Sequence, residues 1–273
     1  MSTSWEDVAH DMAISDLHQE AVMARAVREQ CIFLFVEGES EETAIPILMT
    51  DVVDLDALGV KIANYNGHGN LRAALRLLKL TLSHNRPVII TYDNDPASIE
   101  SVERCKSQQL FTDTTYELRI PIEGVVTYKC GHCGGSFEES FPPGVFLDCV
   151  FNKDIFPPNI CSKRSSFESI FDRSRPWVAQ VRRFAADLGF TDWDAKKVCL
   201  AEYLALEVDE PSVTYRKLAE LVKTVREKYP VVHPDDVELP KVYGLTYFPD
   251  KKSPNNGVGS TTEPKNGAAE TEP

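Results

Sequence analysis

Residues 31–42 read CIFLFVEGESEE, and the break in the middle of that stretch decides the architecture. Cys31 to Val36 is an unbroken apolar run, too short for a helix and rich in β-branched and aromatic side chains, so it reads as a buried strand. It stops at Glu37-Gly38. Ser40 and the acids beside it look like a helix start, and Thr43 to Val53 continues with apolar residues at helical intervals. Gly38 is read as the residue that lets the backbone turn sharply between strand and helix and brings Glu37 close to the strand end.

The same unit recurs downstream. Val60 to Asn64 predicts a strand, Gly67 and Gly69 a turn, and Leu71 to Leu82 a strongly periodic helix. Pro87 to Thr91 predicts a third strand, Asp93-Asn94-Asp95-Pro96 a turn, and Ala97 to Gln109 a helix with Pro96 near its first turn. Thr115 to Pro121 supplies a fourth strand. Alternating strands and helices imply crossover connections and a mainly parallel sheet, hence a Rossmann-like α/β layer. Val125 to Pro143 loses periodicity and reads as an insertion or loop. Val178 to Leu188, Ala195 to Glu207 and Tyr215 to Tyr229 have helical spacing, so the second half is largely helical. An amphipathic helix is expected between Asp7 and Arg28, with Val8, Met12, Leu17, Val22 and Ala26 on its apolar side. Residues after Pro249 hold almost nothing apolar and are expected to be disordered.

In open α/β sheets, ligands lie just outside the carboxyl ends of the strands. Two acidic clusters fall there, residues 37–42 and 93–95. Alternate residues of an extended segment face the same way, so Asp93 and Asp95 can present both carboxylates to one ion. Magnesium favours such oxygen ligands, and it takes one or two carboxylates with water and substrate phosphate completing the shell. Taken singly, each cluster is equally a helix start favoured by the helix dipole or a capped turn. Their joint occurrence at successive strand ends is what favours a metal site, because crowded carboxylates repel one another unless a cation or a proton relieves them.

Composition sets the surroundings. The 273-residue chain is 42% hydrophobic with a net charge of −13, which fits one sizeable core and argues against nonspecific wrapping of nucleic acid. Position matters more than the sum: residues 31–149 hold nine bases against 17 acids, whereas residues 150–230 hold 14 against 12. Basic surface is therefore expected in the second half, with Arg173, Arg175, Arg182 and Arg183 as candidate phosphate contacts, although a solvated helix face would contain the same residues. The longest apolar run falls far short of the roughly 20 residues that a spanning helix needs. The acidic first residues do not resemble a secretory signal. A soluble, cytoplasmic protein with no membrane association is expected. Seven cysteines in that compartment read as free thiols or metal ligands. Cys130-x-x-Cys133 has zinc-knuckle spacing without a second pair, and Cys149 and Cys161 are the residues that could complete four thiolates. His68 lies in a glycine turn, where it is a turn residue or a phosphate neighbour.

A hydrophobic strand, Glu37-Gly38-Glu39-Ser40-Glu41, and some fifty residues later a strand ending in Asp93-x-Asp95, resembles the TOPRIM domain shared by primases, topoisomerases and certain nucleases. Within that group the likeness is to the overcoming-lysogenisation-defect (OLD) family of nucleases. Val36-Glu37-Gly38-Glu39-Ser40-Glu41, reaching Pro46, resembles their first motif, and Asn66-Gly67-His68-Gly69-Asn70 their glycine and asparagine turn. The likeness extends more loosely to Phe137-Glu138-Glu139-Ser140-Phe141-Pro142 and to Lys197 through Leu204. It implies a TOPRIM-like catalytic domain over 30–206 with a cysteine-containing insertion at about 125–143, an N-terminal accessory helix over 1–29, a helical C-terminal extension over 207–248 and a disordered tail over 249–273.

The resemblance further implies an endonuclease that hydrolyses DNA with Mg2+ or Mn2+. Glu37, Glu41, Asp93, Asp95 and Glu138 would hold metal, with Glu139 the rival of Glu138. Lys197 would neutralise a phosphate or leaving oxygen, with Lys196 as its rival. Either Glu37 or a cation-activated water would serve as base. The family usually fuses this domain to an ATPase, whereas these residues contain no Gly-x-x-x-x-Gly-Lys-[Ser/Thr] loop, so an ATPase partner acting in trans enters as an expectation. A primase-like nucleotidyl transferase and a noncatalytic module that binds nucleic acid or an ATPase are the alternatives. A topoisomerase would need a further tyrosine-bearing domain.

Overall fold

The computed structural model describes residues 30–81 and 86–231. The expected helix over residues 1–29 and tail over 249–273 lie outside the described residues, as does the end of the extension expected over 207–248. Ile32–Val36 (β1), Val60–Asn64 (β2), Val88–Asp93 (β3) and Thr115–Ile120 (β4) form one sheet in the order β2-β1-β3-β4. Every pairing in it is parallel. The fold is the expected Rossmann-like α/β layer with a largely helical second half.

Both faces of the sheet are covered, and the side-chain alternation of β1 shows how. Ile32, Leu34 and Val36 enter one hydrophobic cluster, whereas Cys31 and Phe33 enter another; successive residues of a strand point to opposite faces. On the second face lie Leu71–Thr81 (α2) and Pro96–Ser107 (α3). Leu71, Leu75 and Leu78 of α2 sit at helical spacing and are all buried there. On the first face lies Glu39–Met49 (α1), against which Lys197–Glu207 (α8) packs along its length.

The first cluster runs on without a break into Pro143–Val150 (α4), Pro158–Cys161 (α5), Arg164–Glu168 (α6), Trp177–Asp187 (α7) and Val213–Lys228 (α9). Trp177, Trp193 and Tyr215 are among its largest fully buried side chains. The guanidinium of Arg226 ties α9 to the sheet edge by donating to the carbonyls of Leu58 and Gln30.

Three details differ from expectation. Helix α1 ends at Met49, not Val53. Strand β3 continues to Asp93, which puts that residue on the strand rather than in the turn. The stretch 125–143 contains an antiparallel pair, Val126–Thr127 (β5) with Cys133–Gly134 (β6), and a single 3-10 turn over Phe137–Ser140.

Strand order fixes where the acids fall. From β1 the chain steps to β2 on one side, then returns to place β3 on the other, so the β1/β3 boundary is the topological switch point at which α/β sheets bind ligands. Glu37 follows β1 directly and Asp93 ends β3.

Candidate active site

Glu37 is the hub of this rim. Its carboxylate accepts the Asp93 backbone N–H at 3.1 Å, the His68 N–H at 3.2 Å, and the Ser98 hydroxyl at 3.0 and 3.3 Å. Asp93 Oδ1 accepts the Phe137 N–H at 3.0 Å, which docks the 3-10 turn onto the rim and brings Glu138 to it. Glu41 Oε2 accepts the Gly38 N–H at 3.1 Å. Glu37, Glu41, Asp93 and Glu138 line one cleft of about 520 Å3 together with Val178, Asp194 and Lys197. Acids from four chain segments thus line a common space with one lysine, whose Nζ lies 3.7 Å from Asp194 Oδ1.

Glu41 and Glu138 are largely buried, at 6% and 8% exposure, and for Glu41 burial without a countercharge disfavours ionisation. Desolvation, then the neighbouring Glu37 and Glu138 carboxylates, push Glu41 up to about 8 from an ordinary 4.5. Burial followed by Glu41, Glu37 and Glu138 raises Asp93 well above its usual range. The same surroundings keep the buried Tyr65 and Tyr215 phenols neutral. Tyr65 donates to the Thr91 carbonyl, and the Tyr215 hydroxyl meets Ser140 Oγ at 2.9 Å. Ser140 Oγ donates in turn to the Phe137 carbonyl, so α9 braces the turn that carries Glu138.

The structure separates acids that face the cleft from acids that hold the backbone. Asp95 does not line the cleft. Its Oδ1 caps α3 by accepting the Ser98 N–H at 2.7 Å, so one of the two oxygens expected to share an ion with Asp93 serves as a helix cap; the backbone of residue 95 is already turning into the helix with Pro96 at its start. Glu139 is likewise committed. Its Oε2 accepts the Ser136 N–H and hydroxyl at 2.6 Å each, and its Oε1 accepts the Trp177 N–H at 2.7 Å. Glu138 is therefore the cleft residue of the pair. Similarly, Lys197 lines the cleft while Lys196 donates to the Asp154 carbonyl.

Other expectations are revised. Gly38 has φ −145° and ψ −179°, extended backbone open to any residue, so no sharp turn requires glycine there. Space does not require it either: a Cβ would stand 3.4 Å from Glu41 Oε2, an ordinary contact with the end of a flexible side chain. His68 is a turn residue, exposed, with its backbone N–H on Glu37. At the cysteine turn, Cys130 and Cys133 are both exposed, Cys149 is buried in α4, and His132 Nε2 faces the Asn94 carbonyl at 3.1 Å. Among the described residues, no three or more His, Cys, Asp or Glu side chains are arranged to hold a metal as they stand. Among the described residues no third ligand of these kinds joins the two thiols. At the acidic rim the physical reason differs: those oxygens are turned onto N–H and O–H donors while sharing one cleft.

Of the four arginines, Arg175 and Arg183 line a neighbouring groove, Arg182 pairs with Asp194 at 2.7 Å, and Arg173 is exposed with its carbonyl accepting the Trp177 indole N–H.

Ser98 was not singled out by sequence, yet it is fully buried and joins Glu37 to Asp95. The cap pattern Asp95-Pro-Ala-Ser98 was its visible signal. Ser136-Phe-Glu-Glu139 is a capping box, which would have assigned Glu139 to the backbone in advance.

These features define a class: a parallel α/β module with an acidic rim at its switch point. Residues 32–95 match the family model described as overcoming lysogenization defect protein-like, TOPRIM domain. Among solved structures, the C-terminal region of the Burkholderia pseudomallei OLD protein is similar at 16% identity, over 71% of this chain and 96% of that one, with a TM-score of 0.47. The C-terminal region of the Xanthomonas campestris pv. campestris OLD protein is similar at 17% identity, over 72% and 95%, with a TM-score of 0.44. No curated protein matches the chain. No helix among the described residues is long and apolar enough to cross a membrane.

Proposed function

We propose that this protein is a divalent-metal-dependent endonuclease that hydrolyses DNA phosphodiester bonds at the Glu37/Asp93 rim. The observation that carries the reading is the meeting of Glu37, Glu41, Asp93 and Glu138 in one cleft with Lys197. The donor set fits a hard cation: all four are oxygen ligands, and Glu41 and Asp93 bind protons more tightly than usual because burial and the neighbouring carboxylates disfavour their ionised forms. Glu37, Asp93, Glu41 and Glu138 would hold Mg2+ or Mn2+, which when bound supplies Lewis acidity toward a phosphoryl oxygen.

The chain's own residues have distinct tasks. Glu37, with both oxygens on protein donors, is a fixed ligand, a better fit to its surroundings than the role of base. Lys197 stands in the cleft to offset charge on the phosphate or leaving oxygen. Ser98 positions Glu37, and the Phe137 N–H positions Asp93. Asp95 acts through the α3 cap. The groove arginines hold the substrate backbone, and an ATPase partner in trans remains part of the proposal.

Supercoiled plasmid incubated with Mg2+ or Mn2+ tests this. Wild type is expected to give nicked or linear product, and Asp93→Ala and Glu37→Ala to lose at least about a thousandfold of that rate. No conversion by wild type, or undiminished conversion by both variants, overturns the assignment.

A further inference from the structure

Beside the acidic cleft lies a second depression of about 790 Å3, lined by Pro96, Tyr128, Lys129, Arg175, Pro176 and Arg183 among others. Its charge is opposite to that of the cleft: three cations and no acid among the lining residues, in a chain of net charge −13. Its floor is different as well. Tyr128, Pro96, Pro176 and Ala179 give it a mainly apolar trough, with the lysine and arginines exposed at its edges. Paired DNA offers a protein its phosphates on a convex polar surface, and an apolar trough finds no partner there. A strand whose bases are unstacked offers both a π-face for the trough and phosphates for the rim.

The groove is built rigidly. Thr127 N–H donates to the Ser174 carbonyl at 2.8 Å, tying its two walls together. The Gln180 amide nitrogen donates to the carbonyls of Asp172, Arg175 and Pro176, and its oxygen accepts the Asp172 N–H. That commits the one side-chain amide of the lining to the wall, so it is not available to read base edges. The Asp172 carboxylate stands 3.9 Å from Arg175 and accepts the Ser174 N–H and hydroxyl, which leaves the arginine only loosely paired.

The groove and the cleft share helix α7. Val178 lines the cleft and Ala179, the next residue of α7, lines the groove. On the other side Pro96 follows Asp95, two residues past Asp93.

We infer that this groove takes a single DNA strand running on from the cleft, holding its phosphates on Lys129, Arg175 and Arg183 and a base against Tyr128, without sequence preference. The inference rests on the reading of the cleft as a DNA-cleaving site and adds the strand state of the substrate, unpaired next to the reacting phosphate.

Binding measured without metal separates the two ideas. Fluorescence anisotropy of a labelled 20-nucleotide oligo-dT and of a 20-base-pair duplex is followed with the full chain in EDTA at several salt concentrations. The single strand is expected to bind more tightly. The double variant Arg175→Ala, Arg183→Ala lowers its affinity about tenfold or more and makes the salt slope shallower by about 1.4, two phosphate contacts at roughly 0.7 each. Tyr128→Ala lowers single-strand affinity about five- to tenfold and leaves the slope unchanged. Arg216→Ala, on α9 outside the groove, changes neither.

Both groove arginines are exposed, so the thermal midpoint of the double variant should equal that of wild type. Unchanged single-strand binding by a folded double variant, or a duplex bound as tightly and lost in parallel, overturns the inference while leaving plasmid cleavage to be judged alone. Strong single-strand binding by a chain that cuts nothing in any metal refutes hydrolysis and keeps the groove.

Discussion

Helix α7 contributes to an acidic depression and to a basic one, and the two differ in how their charge is held. In the cleft, Glu41 and Asp93 are crowded and desolvated, so their ionised forms are disfavoured. In the groove, Lys129, Arg175 and Arg183 are exposed and hydrated, and their charge costs the fold little. A site that must gather a cation stores repulsion until the cation arrives, whereas a site that must hold a polyanion needs only standing charge beside an apolar floor. Because α7 is shared, the distance between the two is set by a helix start rather than by a loop.

The largest expected effect comes from treating the two sides unequally. Asp93→Asn should abolish metal-dependent cleavage while leaving single-strand binding in EDTA intact. The groove double variant should raise KM for a substrate with a single-stranded segment, with kcat nearly unchanged, since the lost contacts hold ground state and transition state alike. Steady-state kinetics with purified proteins separates the outcomes. If Asp93→Asn weakened strand binding as much as the arginine variant does, cleft and groove would not be separate functions.

A smaller effect, of defined sign, follows from the stored repulsion. Folded Glu41 releases its proton near pH 8, against 4.5 ordinarily, so between those values the folded chain holds more protons than the unfolded one. Stability therefore falls as pH rises through that window, and Asp93 shifts in the same direction. In EDTA the thermal midpoint should drop from pH 5 to pH 8.5; Glu41→Gln should make the slope shallower, and Mg2+ should restore the midpoint at the alkaline end. Calorimetric titration at pH 7 in buffers of different ionisation enthalpy should show proton release on metal binding. A midpoint that climbs from pH 5 to pH 8.5 would count against the crowded cleft.

The frame was legible from sequence because its signals are local and redundant. A run such as Ile32 to Val36 has few alternatives to a buried strand, and Leu71, Leu75 and Leu78 announce their common face by spacing alone. Glu37, Asp93, Glu138 and Lys197 were legible as candidates because they follow strand ends or motif-like segments. Which acid faces the cleft was harder to read. Asp93 and Asp95 look equivalent in an extended segment, yet Pro96 starts a helix whose free N–H groups claim Asp95. The groove was least legible: its walls, 127–130 and 175–183, are some fifty residues apart, and the Thr127–Ser174 hydrogen bond ties the two segments together. The short helices α4 to α6 escaped because their burial comes from aromatic packing, as between Phe151, Phe156 and Phe167, rather than from a long periodic stripe.

The smallest expected effect on cleavage distinguishes adjacent residues. Glu138 and Glu139 are both buried and both acidic, and their oxygens meet different partners. Removing Glu139 leaves the Ser136 and Trp177 N–H groups without an acceptor, and buried donors left unsatisfied cost about 1–3 kcal/mol each. Glu139→Ala should therefore lower stability by about 3 kcal/mol, with the loss seen as a reduced denaturation midpoint. Cleavage at a temperature where the variant stays folded should fall less than in Glu138→Ala. Glu138 accepts one hydroxyl, from Ser136, and stands among like charges, so Glu138→Gln relieves repulsion and should leave metal-free stability equal or higher. Denaturant melts of the two variants in EDTA decide the matter. If Glu138→Gln proved the more destabilised of the pair, the division of acids between cleft and backbone would be the wrong way round, and Glu139 would have to replace Glu138 as the metal-facing residue.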